Sequence, residues 1–307
     1  MHPHVLDRTN KCCRLVVAVR SLLSVLAVLI MSSTTRGAWV EVEDDTGRLI
    51  RLQEPAQRII SLAPHITENI FAAGAGARLV GVSAYSNFPP EAQQLPQISS
   101  FSNINAEAVL ALRPDLVVAW VTGNPRDAVE RLEGLGLTVF RSEPRRLADI
   151  AANIEAIGML AGTQEQAARI AHVLRARLAE MTTRYAQRAV LRAFYQVWDT
   201  PLMTVNGAHI ISDALQLCGA VNVFASLRLA APIVSIEAVI AAAPDVIILS
   251  SETGREEDWV RAWQRFDALP AVQGARFVMA SAEAMGRHTP RLFDEVEKLC
   301  AALDGFR

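Results

Sequence analysis

"INAEAVLALRPDLVVAW", Ile104–Trp120, recurs about 130 residues later as "VSIEAVIAAAPDVIILS", Val234–Ser250. Each copy reads as a short helix opened by a capping residue, Asn105 or Ser235. A Pro-Asp turn follows, Pro114-Asp115 or Pro244-Asp245, and then an apolar run of strand length. Glu107 and Glu237 hold the same place, two residues after the cap, where a carboxylate interacts favourably with the helix dipole.

The surroundings of each copy have the same grammar. Before the first, "RIISLAP" and "LVGVSAY" read as strands, and Thr67–Ala73 reads as a helix closed by Gly74. Around the second lie the strand "RAFYQVW", the helix "ISDALQLCG", the strand "RFVMAS" and a C-terminal helix, Pro290–Leu303. Strands alternating with helices predict parallel sheets. The repeat therefore marks two equivalent α/β lobes, each with its own mostly parallel sheet. A hairpin, "WVEVEDDTGRLIRL" turning at Asp45-Thr46-Gly47, precedes the first.

Between the lobes, "LADIAANIEAIGMLAG" ends at Gly162, and "TQEQAARIAHVLRARLAEMTTRYAQ" begins with a capping-box pattern, Thr163 and Gln166. Ala167, Ile170, Ala171, Leu174, Leu178, Met181 and Tyr185 form one apolar stripe at helical spacing. One long α-helix of roughly 24 residues, about 36 Å, is predicted, enough to brace both lobes. The expected organisation is residues 1–38 as a leader, 39–146 as the first lobe, 147–188 as a helical linker with the bridging helix, and 189–307 as the second lobe.

The leader is read from Arg8, Lys11 and Arg14, the apolar run "LLSVLAVLIM" and the small residues "SSTTRGA" before Trp39. That order reads as a secretory signal, with cleavage expected near Ala38 and export from the cytoplasm. Arg20 leaves an apolar core of about ten residues, short of the roughly twenty that span a bilayer; an uncleaved anchor is the alternative. Residues 1–38 hold five of the 30 Lys and Arg and one of the 32 Asp and Glu, so 25 basic and 31 acidic residues remain. A net charge near −6 without a basic stripe excludes nucleic acid and anionic membrane surfaces as partners. Cys218 and Cys300 are the cysteines left after the leader. In an oxidising compartment such a pair is usually joined; two buried thiols are the alternative.

Catalytic signatures are absent. The glycines of "AAGAGARLVG" follow a helix instead of opening one, and no P-loop, HExxH or G-x-S-x-G motif occurs. No metal site is expected: His172 falls mid-helix, and His65, His209 and His288 fall singly in predicted strand-to-helix loops. Those loops are where open α/β sheets bind ligands. Tyr85, Phe88, Phe101, Trp120 and Trp198 also fall near strand ends, which suits a flat or bulky organic ligand.

At "RIISLAPHITENIFAAG" (58–74), "GVSAYSNFPPEA" (81–92), the two repeat copies and "LCGAVNVF" (217–224), the chain resembles the helical-backbone periplasmic binding proteins that feed ABC importers, and among them the cobalamin-binding members. The resemblance implies two Rossmann-like lobes, a rigid bridging helix, a ligand held in the cleft, no catalysis and a monomer. It implies cobalamin or a related corrinoid as transported ligand, not as cofactor, and pairing of Cys218 with Cys300. The ligand-binding residues it implies are Pro64, His65, Tyr85, Phe101 and Trp120 on the first lobe, and Trp198 and Arg287 on the second. Glu107 and Glu237 would contact arginines of a permease dimer. Ala231, and "AEAMGRHTP" at 282–290, lack a ring where cobalamin binders often carry one.

Three rivals follow. The same scaffold could take haem, with Tyr85, His65 or His209 as axial ligand, or a ferric siderophore, which would use Arg287 and Arg291. A tetrapyrrole metal chelatase has a similar fold, but an export signal argues against it.

Overall fold

The computed structural model describes residues 39–100, 103–251 and 256–307. The predicted leader, 1–38, and Phe101 lie outside them. In chain order the strands are β1 Val40–Glu43, β2 Leu49–Leu52, β3 Ile59–Ser61, β4 Leu79–Ser83, β5 Gln97–Ser99, β6 Leu116–Trp120, β7 Val139–Ser142, β8 Leu191–Gln196, β9 Trp198–Asp199, β10 Leu202–Met203, β11 Ala220–Asn222, β12 Val246–Ser251 and β13 Phe277–Ser281. The helices are α1 Pro64–Ala72, α2 Ala106–Ala111, α3 Arg126–Gly134, α4 Leu147–Ala161, α5 Gln164–Tyr185, α6 Ile210–Leu217, α7 Ile236–Ala242, α8 Glu256–Gln264, α9 Pro270–Gln273, α10 Ala282–Met285 and α11 Pro290–Asp304.

Two parallel sheets form, ordered β5-β4-β3-β6-β7 and β11-β8-β12-β13. Their central strands read as continuous apolar runs because helices cover both faces: Leu116–Ala119 and Val246–Leu249 are all buried. The repeated unit therefore supplies a central strand to each sheet, β6 and β12.

The equivalence extends to single hydrogen bonds. Asn105 Oδ1 accepts the Ala108 N–H at 3.0 Å, and Ser235 Oγ accepts the Ala238 N–H at 3.1 Å, as the caps predict. Arg113 and Ala243, each just before the proline, take positive φ of 44° and 40°. The helix must end there, because proline bars the helical conformation from the residue before it. Asp115 Oδ2 then accepts the Arg58 N–H at 2.9 Å, and Asp245 Oδ2 accepts the Arg192 N–H at 2.8 Å. Those same arginines donate to the helix-terminal carbonyls of Leu112 and Ala242 at 2.7 and 2.8 Å. In each lobe one Arg and one Asp thus fix helix, turn and adjacent strands together.

The bridging helix α5 has 22 residues, about 33 Å. Ala167, Ala171, Leu174, Met181 and Tyr185 are buried on its predicted stripe, while His172 is exposed. Its capping box does not form. Gly162 ends α4 in the left-handed region at φ 66°, and Thr163 donates its N–H back to Gly158 O. Preceding-helix termination holds Thr163 in place, and its hydroxyl is buried without capping α5. The disulfide Cys218–Cys300 ties the end of α6 to α11. Among the described residues no helix is long and apolar enough to cross a membrane.

Candidate functional site

In parallel sheets the strand carboxyl ends share one edge, and here the edges of both sheets open on one cleft. Its larger chamber, about 690 Å³, takes one wall from the ends of β3, β4 and β6 and the other from Ser281–Glu283, Gly286 and Arg287. A smaller chamber, about 270 Å³, is lined by Tyr195, Trp198, His209, Ser250 and Trp259 of the second lobe. Ala282 and Gly286 belong to both walls.

Pro64, His65, Tyr85, Trp120 and Arg287, all predicted from the sequence, converge on the larger chamber. Trp198 lines the smaller one instead of facing Trp120 directly. It was expected to end the first strand of the second lobe, but β8 stops at Gln196. Val197 donates to Met203 O, and Trp198 begins a separate antiparallel ribbon, β9-β10.

Tyr85 is 76% exposed at the mouth, with a positive φ of 64°. A bulky residue in that region is strained. Buried hydroxyls beneath hold the loop: Thr67 Oγ1 lies 2.9 Å from Ser86 Oγ, which lies 3.1 Å from Ser83 Oγ. Trp120 is placed by two neighbours. Its backbone N–H donates to Asn124 Oδ1 at 2.7 Å, and Asn124 in turn donates to Leu62 O. A Cβ on Gly123 would fall 1.8 Å from the indole, so this position requires glycine.

His65 lies on the first turn of α1, not in a loop, because the helix begins at Pro64, three residues earlier than predicted. Its ring, 3% exposed, packs edge-on against Trp120 at 4.9 Å and lies 5.5 Å from His288, which lies 6.1 Å from His209. The histidines predicted to stand singly are therefore neighbours across the lobe boundary. Among the described residues no group of three or more His, Cys, Asp or Glu could hold a metal ion.

Burial pushes His65 well below the usual histidine range, helped by His288 and Arg287. It pushes His209 and His288 down to about 4, the latter helped by His209 and opposed by a hydrogen bond to the Pro144 carbonyl. At pH 7 the cluster is neutral. An unfolded histidine binds its proton near pH 6.5, so below that pH the unfolded chain takes up protons that the fold excludes. Stability is expected to be flat above pH 7 and to fall between about pH 6.5 and 4, by up to about 1.4 kcal/mol per pH unit for each histidine. Urea unfolding across that range checks this, and His288→Phe should flatten the slope.

Arg287 is not a free cation. Its Nη1 lies 2.7 Å from Glu68 Oε1, and its Nη2 donates to Tyr85 O at 3.1 Å. Arg291 grips the same carboxylate with two bonds, at 2.9 and 2.7 Å, and stacks over Phe88 at 4.2 Å. Glu68, on α1, is buried, so the three charges form a clasp from the first lobe to the second. Asn69, beside it, donates to His288 O at 3.0 Å. Sequence reading did not single out Glu68, Tyr195 or Trp259: the first lies inside the predicted helix Thr67–Ala73 and the second inside the predicted strand "RAFYQVW".

Glu107 and Glu237 stand exposed in the first turns of α2 and α7, and the Ser235 hydroxyl and the backbone hold Glu237 below the usual carboxylate range. Each of these helices runs back before a central strand, so their N-termini lie at the sheet edges that open on the cleft.

Comparison with known proteins agrees with this architecture. The periplasmic binding protein family model matches residues 59–284. The vitamin B12-binding protein of Vibrio cholerae is 41% identical over 258 residues, 84% of this chain and 93% of that protein. A crystal structure of the periplasmic vitamin B12 binding protein of Vibrio cholerae superposes with a TM-score of 0.77 at 40% identity, covering 82% of this chain and 98% of that one. A periplasmic haem binding protein of Vibrio cholerae, 20% identical with a TM-score of 0.69 over 80% of this chain and 98% of its own, shares the fold. These relatives are named for the solutes they bind. By a match spanning most of both lobes, the chain belongs to the periplasmic binding protein family.

Proposed function

We propose that the chain captures cobalamin in the two-chambered cleft in the periplasm and delivers it to an inner-membrane ABC importer. The observation that carries this reading is the 41% identity to a vitamin B12-binding protein across 84% of the chain. A mouth walled by Tyr85 and Trp120, with no free cation among the described residues, suits a bulky and largely neutral ligand. Residues 1–38 serve as the export signal, and the protein works as a monomer.

The geometry disfavours the rivals. A ferric siderophore would need the arginines that Glu68 already engages. Haem would need an axial donor: the His65 Nε2 is enclosed beneath the chamber, so Tyr85 at the mouth or His209 in the smaller chamber would have to supply it.

Glu107 and Glu237 dock the two lobes on a permease dimer, each carboxylate meeting a cation across the interface. Within the cleft, Trp120→Ala and Trp198→Ala are each expected to weaken cobalamin binding by about 1–3 kcal/mol, the usual loss for a well-packed aromatic contact. Calorimetric titration with cyanocobalamin tests both. Unchanged affinity with a much lower Tm would assign these rings to lobe packing.

A further inference from the structure

We infer that the smaller chamber is a subsite for a neutral hydrogen-bond acceptor on the ligand's periphery, of the kind a primary amide arm supplies. This rests on the cobalamin reading and specifies how that ligand is recognised. The described residues that line the chamber all belong to the second lobe, and it shares Ala282 and Gly286 with the larger one, so a ligand seated in the larger chamber can reach it with an arm.

Its wall is built of donors. The Tyr195 hydroxyl and the Trp259 indole N–H are both buried without a satisfying hydrogen bond, although Tyr195 lies beside Ser250. Buried polar groups in a finished core are paired, and two unpaired ones in one cavity wall call for a partner from outside the chain. His209 adds a third donor. Its Nδ1 accepts the Ile211 N–H at 3.2 Å, so the neutral ring carries its proton on Nε2.

The acceptor class follows from charge. Among the described residues no Lys, Arg, Asp or Glu lines this chamber. A carboxylate there would be stripped of water with no cation to offset the loss, whereas an amide carbonyl would receive the waiting donors. Its NH₂ can donate to the Ser250 hydroxyl, also in the wall. Cobalamin carries primary amides around its ring, whereas haem carries carboxylates.

The test is calorimetry of cyanocobalamin, and of its monocarboxylic acids made by hydrolysing single propionamides, against the mature protein, Tyr195→Phe and Trp259→Phe. Tyr195→Phe removes one donor and should weaken cyanocobalamin binding about tenfold, the scale of one hydrogen bond. It should also raise the Tm of the free protein, because an unpaired hydroxyl is no longer buried. A purely structural tyrosine would show the reverse, a lower Tm and unchanged affinity. Trp259→Phe removes a second donor while keeping an aromatic ring in the wall, and should likewise weaken cyanocobalamin binding about tenfold. One acid should bind the unaltered protein at least about tenfold more weakly than its parent amide. Tight cyanocobalamin binding that neither substitution nor any acid alters would overturn the subsite alone. No cyanocobalamin binding by the unaltered protein would overturn the cobalamin reading and the subsite with it.

Discussion

Exchanging both Glu107 and Glu237 for Lys is expected to abolish importer-dependent uptake while leaving ligand affinity unchanged. Both carboxylates are exposed, and neither lines a chamber of the cleft. Helix capping alone explains a Glu at either position, but the caps themselves are made by Asn105 and Ser235. Losing a first-turn carboxylate should therefore leave the fold nearly as stable as before. A symmetric pair of docking contacts behaves differently. Reversal places like charges across both halves of the interface, and such juxtaposition suppresses association by several kcal/mol. Single reversals should give partial loss. The measurement is uptake of labelled cobalamin by cells carrying each variant, with binding by the purified protein as control. Normal uptake by the folded, ligand-binding double variant would return both residues to a purely helical role.

The second large effect is expected at Glu68. Glu68→Ala leaves Arg287 and Arg291 without their shared carboxylate at the lobe junction. Breaking a buried ion pair from one side typically costs about 3–5 kcal/mol; Glu283, 3.4 Å from Arg287 and 3.2 Å from Arg291, still faces both guanidiniums and holds the loss toward the lower end. Glu68→Gln, which keeps the shape and can still accept one bond, should cost less. Urea unfolding measures the loss. Small-angle scattering should show a more open free protein for the Ala variant, whereas the unaltered protein should scatter nearly alike with and without ligand because α5 braces it. A loss below about 1 kcal/mol would mean that water already screens the clasp, as at an exposed pair.

The fold was legible because its signals are local and stated twice. Helix, Pro-Asp turn and apolar strand recur with the same spacing, and each Asp repeats the same bond to the neighbouring strand. Where the reading failed, a neighbour in sequence or space had overridden a local signal. Thr163 carries a capping side chain, but the left-handed turn at Gly162 fixes its backbone first. The start of α1 was misplaced at Thr67, although Pro64 is itself a start signal: proline's fixed φ suits the first helical position. That signal would have put His65 on the helix.

The site was legible in part. Residues at strand ends, such as Tyr85 and Trp120, could be found from topology. The Glu68 clasp could not, since it joins residues 219 and 223 positions apart with no periodicity to announce them. The smaller chamber was hidden for another reason. Tyr195 lies in a buried strand, and nothing in its local pattern distinguishes a core tyrosine from one whose hydroxyl awaits a ligand.

The central claim, that this cleft takes cobalamin, is tested most directly by calorimetric titration of the mature protein with cyanocobalamin, haem and a ferric siderophore in separate experiments. Saturable one-to-one binding of cyanocobalamin, with weak or no heat from the other two, is the expected result. Heat from haem or the siderophore and none from cyanocobalamin would contradict it.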